Sequence, residues 1–294
     1  MFSILRLQHL LFSSHTYLLE GGKFSELRSN ELLGNTTSTM YLRPVHTDLH
    51  FPTLYKFIRS NPLGIITTAI QSPTYHTIQS SHVPWVLDVE DEENTTPEPR
   101  TILRGHLARA NPQTKALIEA ATKASTNKIT EEVMILFNGP VHHYVTPKFY
   151  VETKPSTGKV VPTWDYSAVQ VYGKATIFHD SSNAEHQMFL SKQIDDLSKQ
   201  SEEKVFGYTG VNGAQKAWNV GEAPESYVGL LKKAIIGIEI EVTVLAGKFK
   251  MSQELADGDR QGVIEGFEKL GTEEGDLIAK TVKERGELKD AQKA

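Results

Sequence analysis

Two hydrophobic periodicities alternate along the chain. Positions 46–60 (HTDLHFPTLYKFIRS) set Leu49, Leu54, Phe57 and Ile58 on one helical face, closed by Asn61-Pro62. The β-branched run 63–69 (LGIITTA) reads as a buried strand. So does 80–89 (SSHVPWVLDV), where Pro84 marks an edge or a bulge. The acidic, proline-bearing stretch 90–100 predicts an exposed loop between hairpin strands, and 101–107 (TILRGHL) a third strand. From Asn111, the run NPQTKALIEAATKAS predicts a helix with proline in its first turn. Strands are expected at 132–137 and 142–146, parted by an Asn138-Gly139-Pro140 turn, and again at 168–178. A helix is expected at 182–201 and a short one at 224–233, leading into the strongest strand, 234–245. Beyond Lys250 the tail is helical, with a narrow stripe of Ile264, Phe267, Leu270, Leu277 and Ile278.

Strands and helices do not alternate regularly, which argues against a doubly wound parallel sheet. Mostly antiparallel strands with flanking helices predict an α+β, barrel-like domain. That domain begins at Met40 and runs to residue 294. Residues 1–39 read as an N-terminal extension without a periodic face, expected to be disordered and dispensable for the fold. Its first 19 residues carry no acid, so a mitochondrial presequence is the alternative to a cytoplasmic location.

Composition narrows the chemistry. The 294 residues are 39% hydrophobic and 23% charged, enough for a sizeable core. No apolar run approaches the roughly 20 residues of a membrane span. With no cysteine, thiolate metal clusters and cysteine nucleophiles are excluded. A net charge of −5 speaks against direct binding to nucleic acid.

Several motifs fail on inspection. Gly207, Gly210 and Gly213 lack the Lys-Ser/Thr of a phosphate loop, and His46 and His50 lack the glutamate of HExxH. His142 and His143 are adjacent, so on a strand they point to opposite faces. There is no GxSxG elbow.

Four stretches are denser in special residues than packing requires: SSHVPW at 80–85, GHLARANPQ at 105–113, FNGP at 137–140 with the aromatics after it, and VPTWDY at 161–166. In the second, a strand feeds a helix N-terminus, where free amides beside His106 and Arg109 suit a phosphate. In this order, GHLARANPQ, FNGP with its following Tyr, Pro and Phe-Tyr, VPTWDYSAVQVYG and KMSQ resemble the motifs of PaiB-type FMN-binding proteins, over about residues 40–285.

The resemblance implies an FMN-binding split β-barrel, generally a homodimer, in a family described as negative transcriptional regulators. On it, the donors for FMN are His82, His106, Arg109 and Asn111, with Thr67 and Thr68 from a neighbouring strand. Trp164 and Tyr166 would border the ring or the dimer interface. The interface is expected to include strands 168–178 and 234–245, the latter carrying Ile236, Ile238 and Ile240 on one face. Other split barrels are FMN-dependent oxidoreductases or bind haem, here through His106 or His82. Two positions depart from the family: Asp165 and Glu254 stand where asparagine is usual. An acid at 165 would weaken the hold on a phosphate if it lined the site.

Overall fold

The computed structural model describes residues 40–92 and 100–291. The expectation for 1–39 lies outside them. Eight strands form one sheet: β1 (Thr47–Asp48), β2 (Leu63–Ala69), β3 (Ile78–Pro84), β4 (Val86–Val89), β5 (Thr101–Ala108), β6 (Lys128–Val145), β7 (Thr163–Phe178) and β8 (Ile235–Lys250). Seven helices accompany them: α1 (Phe51–Ser60), α2 (Pro112–Ala124), α3 (Thr153–Thr157), α4 (Ala184–Gln200), α5 (Glu225–Lys233), α6 (Asp257–Glu268) and α7 (Glu273–Ala291).

The spatial order β3-β2-β6-β7-β8-β5-β4 is antiparallel throughout. Its two ends, β3 and β4, are consecutive in sequence and separated only by Trp85. One kinked segment therefore serves both edges, and the sheet curls into a split barrel. Pro84 sits at that kink, where the ladder needs no N–H from it. Trp85 is 1% exposed, and its backbone N–H donates to Pro62 O at 2.9 Å. Its ring lies between Gly64 and Gly105, where an added Cβ would come within 2.9 Å and 3.0 Å of it. Glycine is needed at both positions for that close approach.

The barrel core gathers Ile66, Val83, Leu103, Ile135, Phe137, Val171 and Ile177 with Leu54 of α1 and Leu117 of α2. Ile236, Ile238 and Ile240 are fully buried in this core. Their apolar face closes the barrel of one chain, so it is not the face offered to a partner.

Four expectations change. The helix expected from residue 46 starts at Phe51; before it come a 3₁₀ turn, Pro44–His46, and β1 paired with β8. Pro52 in its first turn fits that later start. Asn138-Gly139-Pro140 is no turn between strands. The chain runs straight through it as β6, absorbing extra residues in a bulge between Asn138 and His142. Strands β7 and β8 are also longer than expected. They extend with β6 beyond the barrel onto a second core of Val145, Tyr150, Met251, Val263, Phe267, Ile278 and Val282, made with α6 and α7. Leu270 and Leu277, assigned to the apolar stripe, are 45% and 41% exposed.

Candidate functional site

Side chains alternate along each strand, so the pairing register shows which residues share a face. On the sheet face turned away from the barrel core, one row runs His82–Ile65–Leu136–Gln170–Ala246. The next runs Ser80–Thr67–Met134–Tyr172–Val244. Helix α4 packs on β4, β5, β7 and β8 at the other half of the sheet. Across β3, β2 and β6, the apolar residues Ile65, Met134 and Leu136 stay half-exposed. At one margin of this floor Thr67 Oγ1 and Ser80 Oγ are 2.9 Å apart, with the exposed His82 beside them.

The same face continues past the barrel. Tyr166 pairs with His142, and Trp164 pairs with Tyr144. Trp164 is 54% exposed, with the His142 and Tyr144 rings 6.2 Å and 6.1 Å away. Lys248 Nζ lies 5.5 Å from the Tyr166 ring and 5.4 Å from that of Tyr41, within range of a cation–π contact to both. Thr67, His82, Trp164 and Tyr166 thus share one sheet face.

Thr68 and Asn111 stand behind the sheet. Thr68 is buried, and its Oγ1 accepts from Gln113 Nε2 at 3.0 Å; the same amide reaches Gln79 O at 3.0 Å. Asn111 caps α2: its Oδ1 accepts the Gln113 N–H at 2.9 Å and its Nδ2 donates to Ser81 Oγ at 2.8 Å. These groups form a polar plug that fastens α2 to β2 and β3.

His106 and Arg109 stand at a third place. His106 pairs with Gly237, over which the Phe189 ring of α4 is packed so closely that a Cβ would lie 2.4 Å from it. His106 Nδ1 is shielded from solvent without a hydrogen-bond partner, and burial lowers the pKa of the ring. Arg109 donates to the carbonyl oxygens of His179 (2.6 Å), Lys233 (3.2 Å) and Ile235 (3.4 Å). Its guanidinium is engaged in holding the ends of β7, α5 and β8 together.

Asp165 stands between Trp164 and Tyr166 but points the other way. It is fully buried beneath the strand, accepting from Ser252 Oγ at 2.7 Å. Burial pushes its carboxyl up to about 6, against the opposing pull of Ser252 and Lys250. The concern that it would face a bound phosphate does not hold for this geometry. Ser80 belongs to the SSHVPW stretch noted in the sequence, whereas nothing local marks Met134, Leu136 or Tyr172; only the register of the strands places them beside Thr67.

The model of the family described as "Putative FMN-binding domain" matches residues 40–244. The chain belongs to this FMN-binding family. An uncharacterised protein of Aspergillus fumigatus is 58% identical over 261 residues, covering 85% of this chain and 99% of that one. The "Protease synthase and sporulation protein PAI 2" of Bacillus subtilis is 26% identical over 212 residues, covering 72% of this chain and 81% of the other. Among solved structures, a pyridoxamine 5'-phosphate oxidase-related, FMN binding protein of Nostoc punctiforme aligns with a TM-score of 0.34 at 11% identity, covering 71% of this chain and 86% of that one.

The sheet face left uncovered by the described residues fits FMN better than the helix α2 terminus does. A flat apolar floor of Ile65, Leu136 and Met134 suits an aromatic ring system, and the hydroxyls of Thr67 and Ser80 with His82 supply polar partners at its margin. At the α2 terminus, Asn111 already caps the helix and Arg109 already has its acceptors.

Proposed function

We propose that this FMN-binding protein holds the flavin on the uncovered face of β3, β2, β6 and β7, and that a second copy of the chain covers it there. The half-exposed floor of Ile65, Met134 and Leu136 carries this reading. Among the described residues one chain offers a wall and no roof, whereas a ring buried on both sides needs apolar surface above as well as below. Tyr166 and Trp164 continue the wall and suit the rim of such a dimer, since aromatic side chains are favoured at interfaces. Thr67, Ser80 and His82 would take the phosphate or the polar edge of the ring.

Bound FMN supplies redox chemistry in principle, but the residues of this face offer binding and little acid–base catalysis. The titratable groups in the two rows are His82, paired with Ile65, and Tyr172, paired with Met134, whose phenol burial pushes further up from its ordinary value. We therefore assign the protein a flavin-responsive regulatory role, exercised through a protein partner or a metabolite rather than by direct contact with DNA. The net charge of −5 supports the last point.

The test is to purify the protein, record its visible spectrum, and titrate the apoprotein with FMN while measuring mass by light scattering. Saturable quenching of flavin fluorescence by a dimer is the expected result. A monomer that binds FMN as tightly would remove the second wall, and no binding would remove the reading. Adding NADH or NADPH under air should leave the flavin oxidised; bleaching with reoxidation would make the protein an oxidoreductase instead.

A further inference from the structure

Beneath Trp164 and Tyr166, five polar side chains from four parts of the chain meet, with Asp165, Ser252 and His46 buried and Lys250 and Glu254 partly exposed. Asp165 comes from β7, Lys250 from the end of β8, Ser252 and Glu254 from the turn after it, and His46 from the 3₁₀ turn before β1. Lys250 Nζ lies 3.6 Å from Asp165 Oδ1 and 3.8 Å from Glu254 Oε1, and it donates to Thr163 Oγ1 at 2.7 Å and Trp164 O at 2.9 Å. His46, 2% exposed, has Nε2 3.1 Å from Glu254 Oε2, though not aligned for a hydrogen bond. Asp165 Oδ1 is likewise buried without a hydrogen-bond partner.

The charges do not balance: the fully buried Asp165 and the partly exposed Glu254 face one ammonium, and a proton on either Asp165 or His46 makes up the difference. Arg43 is also felt at His46, while the phenol of Tyr150 faces Asp165 and Glu254, with Asp259 and Tyr144 around it. Tyr150 is pushed up to about 12, first by burial and then by those carboxylates, so it stays neutral. Asp165, raised to about 6, and His46, lowered from its ordinary value by burial, are the members whose protonation responds to pH in opposite senses.

His46 belongs to a strap. Residues 43–48 cross the end of β8, where Thr47 pairs with Lys248 and Asp48 with Gly247. Gln253 Nε2 donates to Val45 O at 3.1 Å, and Arg285 Nη1 donates to Asp48 Oδ2 at 2.8 Å. The strap's leading end carries Tyr41 to Lys248, the lysine shared with Tyr166. The cluster is therefore the anchor of a segment whose end reaches the proposed ligand face.

We propose that Asp165, Lys250, Ser252, Glu254 and His46 form a proton-sensitive clasp that sets how firmly residues 43–48 are docked on β8. Two titrations act on it in opposite senses. The folded-state pKa of Asp165 is raised from 3.8 to about 6 by burial, so its contribution to closure is present at low pH and is lost as pH rises towards 6. His46 is lowered, by burial first and against the pull of Glu254, so its contribution is present above 6.5 and is lost as pH falls. In the native protein the two partly cancel, and removing either exposes the other.

Hydrogen exchange of the strap amides, corrected for the intrinsic pH dependence of exchange, reads this directly. In Asp165→Asn, protection of residues 45–48 should rise between pH 5 and pH 7. In His46→Gln it should fall over the same range by up to about tenfold, the factor that a carboxyl moving from 3.8 to about 6 produces. The double variant should be flat. Equal slopes in both single variants, or a strap whose protection ignores both, would overturn the clasp. If Asp165→Asn does not fold, Ser252→Ala serves: losing the Oγ donor should move the Asp165-dependent loss to higher pH, and an unchanged profile overturns the proposal too. The measurement needs no flavin, so its outcome is independent of the ligand assignment.

Discussion

Replacing Asp165 by asparagine should make the protein more stable at neutral and alkaline pH. The carboxyl is fully buried and titrates at about 6 instead of 3.8. The folded chain therefore holds a proton there that the unfolded chain releases, and stability falls as pH rises through that interval. The displacement of roughly two pH units corresponds to about 3 kcal/mol of strain carried by the ionised side chain at pH 7 and above. Asparagine has the same shape and never ionises. Its Nδ2 can donate to Ser252 Oγ, leaving Oδ1 towards Lys250, so the site remains paired.

Urea unfolding of both proteins from pH 4.5 to 8 tests this. The two should agree to within about 1 kcal/mol at the acid end, the range of a single altered hydrogen bond. The variant should gain about 2–3 kcal/mol by pH 8, which for a domain of this size is roughly 5–10 °C in Tm. Parallel pH profiles, or a variant less stable at pH 8, would mean that Lys250 compensates Asp165 fully and that the carboxylate is not strained.

Arg109→Ala should cost about 1.5–3 kcal/mol of stability, because it leaves three carbonyl oxygens without their shared cationic donor. Its FMN affinity should stay within about twofold, and a loss of tenfold or more would return Arg109 to the phosphate. Thr67→Val and His82→Ala should each weaken FMN binding about fivefold to tenfold by titration, with thermal stability unchanged, since both side chains stand outside the core. Leu136→Asp, on the uncovered floor, should give a folded monomer by light scattering that has lost the flavin; a dimer that still binds FMN would place both elsewhere. Trp85→Ala should destabilise by about 3–5 kcal/mol in a denaturant titration, because it empties the kink that closes the barrel.

Most strands were legible because their alternation is strong, as in 168–178 and 234–245. Pro84 was legible as a break because proline constrains the ladder in any context. Asn138-Gly139-Pro140 misled for the same local reason: its residues are turn formers. The pairing of β6 with β7 on both sides carries the strand through, and Gly139 accommodates Ser167, whose Oγ would lie 2.1 Å from a Cβ there. The helix start at Phe51 rather than residue 46 follows from long-range pairing of β1 with β8, which no local pattern encodes.

The candidate site shows where one-dimensional reading stops. Thr67 and Thr68 are neighbours in sequence and both can donate, yet a strand sends them to opposite faces. Thr68 goes to the plug with Gln113, and Thr67 goes to the open floor with Ser80. Trp164, Asp165 and Tyr166 divide in the same way, two aromatics outward and one acid inward. A motif such as VPTWDY therefore carries two jobs at once. The odd-numbered residue of that triplet and its two even-numbered ones belong to different environments, and only the pairing partners tell which is which. Asp165 anchors the strand from beneath, and so would bear on the proposed ligand face through the position of Trp164 and Tyr166 rather than through direct charge on a phosphate.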